Sequence, residues 1–558
     1  MAGVAILLTL HIGGALASRM GIPVPQETQP LLVALLLGVV TDYVVFYLSA
    51  VRAQLASGAD RLSAARSATA RFTPIIATAG ATAAAGTAVL IVAESAAFRA
   101  FGPGMALSVL VGMVVAVTLV PALLAILGPA AFWSPGRRAA PNAGEPRPPR
   151  SGRRWARLLT RRWFAPVVLA LCIAGLGVAS FPLRQMNLGV SFVEALPASH
   201  PARQAATQAE KGFAEGILSP TELLVQGAGV TARKAELARL QQSLARVPGV
   251  AAVVGPGTDA VPEGLNLFHT ADGSAVRYLL VLSDEPLGAQ AVQTVTRLNG
   301  DLPGLVQAAG LTGVQASLGG DTAIAKVIVD QTVHDLGRIA LAALLANLLF
   351  LVLFLRALIV PIGLLACSVL AIGATLGLTT WLFQDVLGGD GLTFYVPFAA
   401  AVLLVALGSD YNIFGIGPAW REARTRPLRE ALAITLPQSA RAIRTAAFTL
   451  AVSFGLLVLV PLRPFQELAF ARSVGILIDA FIVRSLLAPA LLTVMGSLAQ
   501  PSAEPPTDRL ASADGQASAD RQASAGRRAE PVPSVPTDEQ AEPEPVPATS
   551  DPGDKPGL

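Results

Sequence analysis

Residues 38–48 read GVVTDYVVFYL and residues 406–416 read ALGSDYNIFGI; in each, an Asp-Tyr pair interrupts an otherwise apolar run. Asp42-Tyr43 followed by Phe46 matches Asp410-Tyr411 followed by Phe414. A second word also recurs, PALL at 121–124 and again at 489–492. The interval from Asp42 to Pro121 equals that from Asp410 to Pro489, 79 residues, so both words repeat at one offset of 368. Single apolar words coincide by chance in membrane helices. Two at one offset, with four apolar segments in each copy, indicate an internal repeat. Both copies run in the same orientation, which makes it a parallel repeat.

The composition around these words is that of a membrane protein. Of 558 residues, 53% are hydrophobic and only 14% charged, and the mean hydropathy is +0.58. Soluble globular proteins carry about 25% charged residues, so that class is excluded. Ten apolar segments of roughly bilayer length can be drawn, at 2–18, 29–49, 72–93, 103–128, 165–182, 338–355, 357–382, 394–416, 443–461 and 471–496.

Arginine decides the topology. Arg52, Arg61, Arg66 and Arg71 follow the second segment, a block from Arg137 to Arg162 follows the fourth, and Arg421, Arg424, Arg426 and Arg429 follow the eighth. The positive-inside rule makes all three loops cytoplasmic. Alternating the spans then puts residues 183–337 outside and the C-terminus inside, in an inner (plasma) membrane. The net charge of +4 is spread over these loops and implies no nucleic-acid partner.

The expected divisions are a first membrane block (1–132), a basic cytoplasmic linker (133–164), a span (165–182), an external domain (183–337), a second membrane block (338–497) and a tail (498–558). The linker ends in RRWARLLTRRW, residues 153–163, where Trp155 and Trp163 alternate with Arg as in an interfacial helix. The tail is rich in Pro, Ala, Ser, Asp and Glu, a composition expected to stay disordered. The external segment alternates strand and helix patterns: TELLVQG, TARKAELARLQQSLARV, AAVVGPG, AVRYLLVLS, AQAVQTVTRLNGDLPGLVQAAG and VQASLGG. The order β-α-β-β-α-β predicts a split βαβ domain. The fold class is therefore a polytopic α-helical membrane protein with one external α+β domain.

The run opening at Ala2 lacks a basic leader, and its first basic residue, Arg19, comes at the far end. It reads as an interior span rather than a signal peptide. In the second copy, a further pair of spans flanking the external domain precedes the four matched ones. Symmetry leads to the expectation of a comparable stretch of roughly 200 residues ahead of the first copy, or of a homo-oligomer or partner chain supplying it.

An ionisable group at mid-membrane costs about 2.5–3.5 kcal/mol on insertion scales and persists mainly where it works or is paired. Asp42 and Asp410 are two such groups, each with a tyrosine beside it. Removal from water favours the neutral carboxyl, which suits a group that takes and releases protons. Repeat symmetry is expected to gather Asp42, Tyr43, Asp410 and Tyr411 into one cluster; the alternative is helix-to-helix bonding. Asp479 and Arg484 lie in the tenth segment, and residues five apart point about 140° away from each other on an ideal helix, so no direct pair is expected. A supporting role beside the carboxylates and pairing with other helices both remain open. Asn347 reads as helix-packing glue. His11, His200, His269 and His334 form no ligand-spaced set, and Cys172 and Cys367 lie inside apolar runs, so neither metal, cofactor nor disulfide is expected. The nucleotide-loop, HExxH and GxSxG words of enzymes are missing too, so the chain is not read as an enzyme.

Taken with their order and spacing, GVVTDYVVFYLSAVRAQL, FGPGMALSVLVGMVVAVTLVPALLAILG, FVEALPASHPARQAA with GFAEGILSP, and GILIDAFIVRSLLAPALL resemble the MMPL (mycobacterial membrane protein large) family of RND transporters. The resemblance covers nearly all of residues 1–497. It implies a twelve-span proton-coupled exporter of lipids or other hydrophobic molecules with porter-like domains outside the membrane, and it assigns the proton relay to Asp42-Tyr43 and Asp410-Tyr411. The family's first span, first external domain and second span have no counterpart here. Two other classes stay open: a non-transporting lipid-binding or scaffold protein, and an accessory subunit of protein export, which shares the RND core.

Overall fold

The computed structural model describes residues 2–20, 28–56, 58–132, 156–161, 163–190, 193, 196–256 and 267–496. Most of the linker expected at 133–164, and nearly all of the tail from 497 on, lie outside the described residues. The chain divides into two units, Met1–Pro501 and Ser502–Leu558, and the described residues all belong to the first.

Long apolar segments can satisfy their backbone groups in lipid only by closing them into helices. The first block is accordingly helical: α1 (Ala2–Met20), α2 (Thr28–Ala56), α3 (Arg61–Ala88) and α4 (Ala96–Leu127), followed by α5 (Phe164–Ser180). A mixed domain follows, with β1 (Leu188–Gly189), α6 (Pro201–Glu210), β2 (Thr221–Gln226), α7 (Lys234–Leu244), β3 (Val250–Val254), β4 (Ala275–Leu282), α8 (Ala289–Ala308) and β5 (Gln315–Gly319). The chain returns through α9 (Asp321–Leu355) and α10 (Ile359–Thr380) to a two-residue strand, β6 (Leu392–Thr393). It then runs through α11 (Tyr395–Glu422), α12 (Leu428–Gly455), α13 (Arg463–Leu477), a π-helical stretch Ile478–Leu487, and α14 (Ala488–Met495).

Among the described residues six helical segments are long and apolar enough to cross a membrane: Arg61–Val92, Phe98–Leu127, Phe164–Gln185, Asp321–Leu355, Ile359–Val386 and Arg463–Met495. Shorter apolar stretches occupy Gly3–Gly13, Tyr395–Val405 and Ile443–Leu459. The helix of the sixth expected segment starts at Asp321 rather than 338. One unbroken rod therefore joins the last strand of the mixed domain to the apolar run.

The repeat is visible in the backbone. α3 and α12 begin at residues 61 and 428, pass into 3₁₀ turns at Val89–Val92 and Leu456–Leu459, and are followed by helices starting at residues 96 and 463. These starts are all 367 residues apart. The last helices then end at Leu127 and Met495, each followed by a glycine in the left-handed region, Gly128 (φ 51°, ψ −129°) and Gly496 (φ 56°, ψ −119°), now 368 residues apart. The second copy of this helix thus holds 33 residues where the first holds 32. Packing between the copies is reciprocal: α2 lies on α12 while α11 lies on α3. Exchanged contacts of this kind are what a two-fold relation between the copies produces.

α5 joins the second block through small residues. Gly373 and Gly377 of α10 stand four apart, the spacing that lets helix backbones approach closely in a membrane. A Cβ on Gly377 would lie 2.2 Å from the carbonyl oxygen of Ala179, whereas one on Gly175 of α5 would meet nothing within 4 Å. Gly377→Leu is expected to lower stability by about 1–3 kcal/mol or more through overpacking. Gly175→Ala is its control, with thermal unfolding in detergent as the measurement.

In the mixed domain the sheet order is β3-β4-β2-β5 with every pair antiparallel. That is the split βαβ order expected from the alternation of patterns. Leu223 and Val225 of β2 and Val276, Tyr278 and Leu280 of β4 alternate onto one face, where they pack against Leu237, Leu240 and Leu244 of α7 and Leu298 and Leu302 of α8. The buried Tyr278 hydroxyl donates to the Leu237 carbonyl at 3.0 Å, and burial pushes its pKa up.

Candidate functional site

Asp42 and Asp410 lie near the middle of α2 and α11, as far from either end as these helices allow. The side chains of Asp42, Asp410 and Tyr411 lie outside the described residues. Tyr43 is fully buried. It shares a core cluster with Val39 and Tyr47 of α2, Phe398, Val402 and Ile413 of α11, and Ile443 and Leu450 of α12. The two helices that carry the repeated Asp-Tyr word therefore contribute to one core. One turn beyond Tyr43, the Tyr47 hydroxyl is hydrogen-bonded to Thr73 Oγ1 of α3 at 3.0 Å.

Asp479 and Arg484 correct the expectation drawn from an ideal helix. They pair directly: Arg484 Nε donates to Asp479 Oδ2 at 3.2 Å, and Nη2 lies 3.1 Å from Oδ1. The cause is the π-helical stretch Ile478–Leu487, whose i→i+5 bonding brings the fifth residue back over the first. Ser485 Oγ likewise donates to the carbonyl of Ala480, five residues back. The extra residue of the second copy falls in this helix. In the first copy α4 runs as plain α-helix, and Val111 and Ala116 stand at the positions 368 residues earlier.

The pair also reaches the helix of Asp410. Arg484 Nη2 donates to the carbonyl of Gly408 at 2.8 Å, one turn of α11 or less from Asp410. Gly408, Asp479, Asn347, Ser368 and Thr375 line a cavity of about 20 Å³, roughly the space of one water molecule. Asn347 Oδ1 is buried without a hydrogen-bond partner and lines this cavity, so its acceptor is not spent on gluing helices together.

Residues 1–168 and 194–533 match the MMPL family. This chain belongs to that family. The Streptomyces coelicolor membrane protein SCO5905 is 30% identical to it over 514 residues, covering 90% of this chain and 58% of that protein. The apo-petrobactin exporter of Bacillus anthracis is 26% identical over 500 residues, covering 87% of this chain and 65% of the exporter. The trehalose monomycolate exporter MmpL3 of Mycolicibacterium smegmatis is 27% identical over 546 residues, covering 88% of this chain and 52% of its own. The MMPL chain described here thus spans between half and two thirds of the length of these curated relatives.

Three buried ionisable residues of this MMPL protein escaped the sequence reading. Arg472 is fully buried, with its guanidinium 4.8 Å from the ring centre of Phe454, a stacking that suits a cation in an apolar setting. It lies inside the apolar segment 471–496, so the cost argument that singled out Asp42 also applies to it. Asp335 of α9 is fully buried and accepts the backbone N–H groups of Glu94 at 2.7 Å and Ser95 at 2.9 Å. It caps the start of α4 from 240 residues away, a contact with no local signature. Glu467 of α13, also fully buried, accepts the backbone N–H of Thr393 at 2.9 Å.

Proposed function

We propose that this chain is the membrane core of a proton-motive-force-driven exporter of lipids or other hydrophobic molecules. The observation that carries the reading is the Asp-Tyr word, repeated near the centre of two helices that feed one sealed core around Tyr43. Asp42 and Asp410 take and release protons, Tyr43 and Tyr411 hold them by hydrogen bonding, and the Asp479–Arg484 pair steadies α11 through Gly408. A gradient supplies about 2.3 kcal/mol per charge per 100 mV, which such a relay converts into movement of the surrounding helices.

In this reading the chain has ten spans. The mixed α+β domain stands outside the inner membrane, and the Arg-rich loops and the C-terminus are cytoplasmic. Trp163, 90% exposed at the first turn of α5, suits the cytoplasmic interface, where tryptophan anchors concentrate. The similarity to exporters of a siderophore and of a mycolate ester supports a hydrophobic or amphiphilic cargo.

Reconstitution provides the test. In proteoliposomes, efflux of a fluorescent lipid is expected to rise at least about tenfold when a pH gradient is imposed and to fall back when an ionophore collapses it. Lipid binding with no gradient-dependent efflux contradicts the exporter and favours the scaffold reading.

A further inference from the structure

Resting on the relay proposed above, we infer that the joint between β1 and β6, clamped by Glu467 and Arg463, transmits movement of α11 to the mixed domain, with Glu467 as its positioning residue. The two strands are only two residues each, yet they occupy decisive places in the chain. β1 opens the mixed domain directly after the span of α5. β6 leads within two residues into α11, the helix of Asp410. They pair in parallel, Leu188 with Leu392 and Gly189 with Thr393. The backbone bonds Leu392 N–H to Asn187 O at 2.8 Å and Phe394 N–H to Gly189 O at 3.0 Å continue that pairing.

The joint is also bonded to the mixed domain itself. Val190 N–H donates to the Leu287 carbonyl at 2.8 Å, and Gln290 Nε2 donates to Asp390 Oδ1 at 2.8 Å. Both glycines of the joint are required by the approach of α8. A Cβ on Gly189 would lie 2.8 Å from the Ala289 nitrogen, and one on Gly391 would lie 2.5 Å from the Ala289 Cβ. The first turn of α8 therefore rests on the strand pair with no room for a side chain between them.

Glu467 holds this joint from the membrane side. Its Oε2 accepts the Thr393 N–H at 2.9 Å, its Oε1 lies 3.3 Å from Arg463 Nε, and Arg463 Nη2 donates to the Gly391 carbonyl at 3.3 Å. A fully buried carboxylate is costly unless it is paired and hydrogen-bonded. Here every partner belongs to the joint or to the adjacent turn of α13. The same helical rod, roughly 25 Å further along, carries Arg484 and its bond to Gly408 of α11. α11 is thus gripped at its start through β6 and near its middle through Arg484, and any displacement of it acts on the base of α8.

Spin-label distance measurements on the full chain in nanodiscs test this at one fixed pH, with Asp42→Asn/Asp410→Asn as a mimic of the protonated relay. One label pair, at Arg66 and Thr425, reports the membrane block; a second, at Asn299 and Ala96, reports the mixed domain against it. The mimic is expected to shift both distances. Adding Glu467→Gln is expected to leave the first shift intact and to cut the second at least fivefold, and Gly391→Ala is expected to do the same without touching a buried charge. A second shift that persists in both backgrounds overturns the coupling. If the mimic moves neither distance, the relay reading itself fails, and this inference with it.

Discussion

Asp410→Asn is expected to reduce gradient-driven efflux by at least about 100-fold while leaving the amount of folded chain in the membrane unchanged. The amide keeps the shape of the carboxyl but cannot titrate, and groups that transfer protons at a working site typically account for factors of about 10²–10⁴. Asp42→Asn is expected to have an effect of the same order, because the two residues occupy equivalent positions of the repeat. Folding should survive both changes, since a neutral amide is cheaper to bury than an ionised carboxylate. Efflux and size-exclusion profiles measured on the same preparations separate the two effects. Efflux within a factor of about two of wild type in both single variants would remove these residues from the relay.

The second large effect concerns the Asp479–Arg484 pair. Arg484→Leu leaves Asp479 buried without its partner, a situation that costs about 3–5 kcal/mol in proteins generally. Replacing both residues by Leu removes both charges, and such double replacements are often neutral or stabilising. Chemical unfolding of the two variants is therefore expected to show a strongly destabilised single and a double close to wild type. Activity should not follow stability. The double variant also lacks the Arg484 donor to Gly408, so it is expected to be stable yet to export at no more than about a tenth of the wild-type rate. A double variant that is both stable and fully active would reduce the pair to a structural contact.

How much of this could be read from the sequence depended on how local the causes were. Apolar length located the spans, because burial in lipid acts residue by residue, and the alternation of TELLVQG and AVRYLLVLS located β2 and β4 together with their inward faces. The Asp479–Arg484 pair was misread because the ideal 3.6-residue turn was assumed where one extra residue makes a π-helical stretch. Comparing the lengths of the two repeat copies would have exposed that residue. The β1–β6 joint is too short to show any alternation, and its two glycines take their meaning only from α8. Asp335 and Glu467 act across the fold on backbone groups 240 and 74 residues away, which no window along the chain detects. Of the proposed relay, the sequence supplied all four residues, and the structure adds the buried setting of Tyr43 and the shared core of α2 and α11.

The claim that everything else depends on is that Asp42 and Asp410 carry protons across the membrane during transport. Proteoliposomes loaded with a pH-sensitive dye measure this directly, with the acidification rate recorded alongside lipid efflux. The account predicts proton entry that accompanies efflux in wild type and is abolished in Asp42→Asn/Asp410→Asn. Proton entry at the wild-type rate in that double variant, or lipid efflux with no proton movement in wild type, would contradict it.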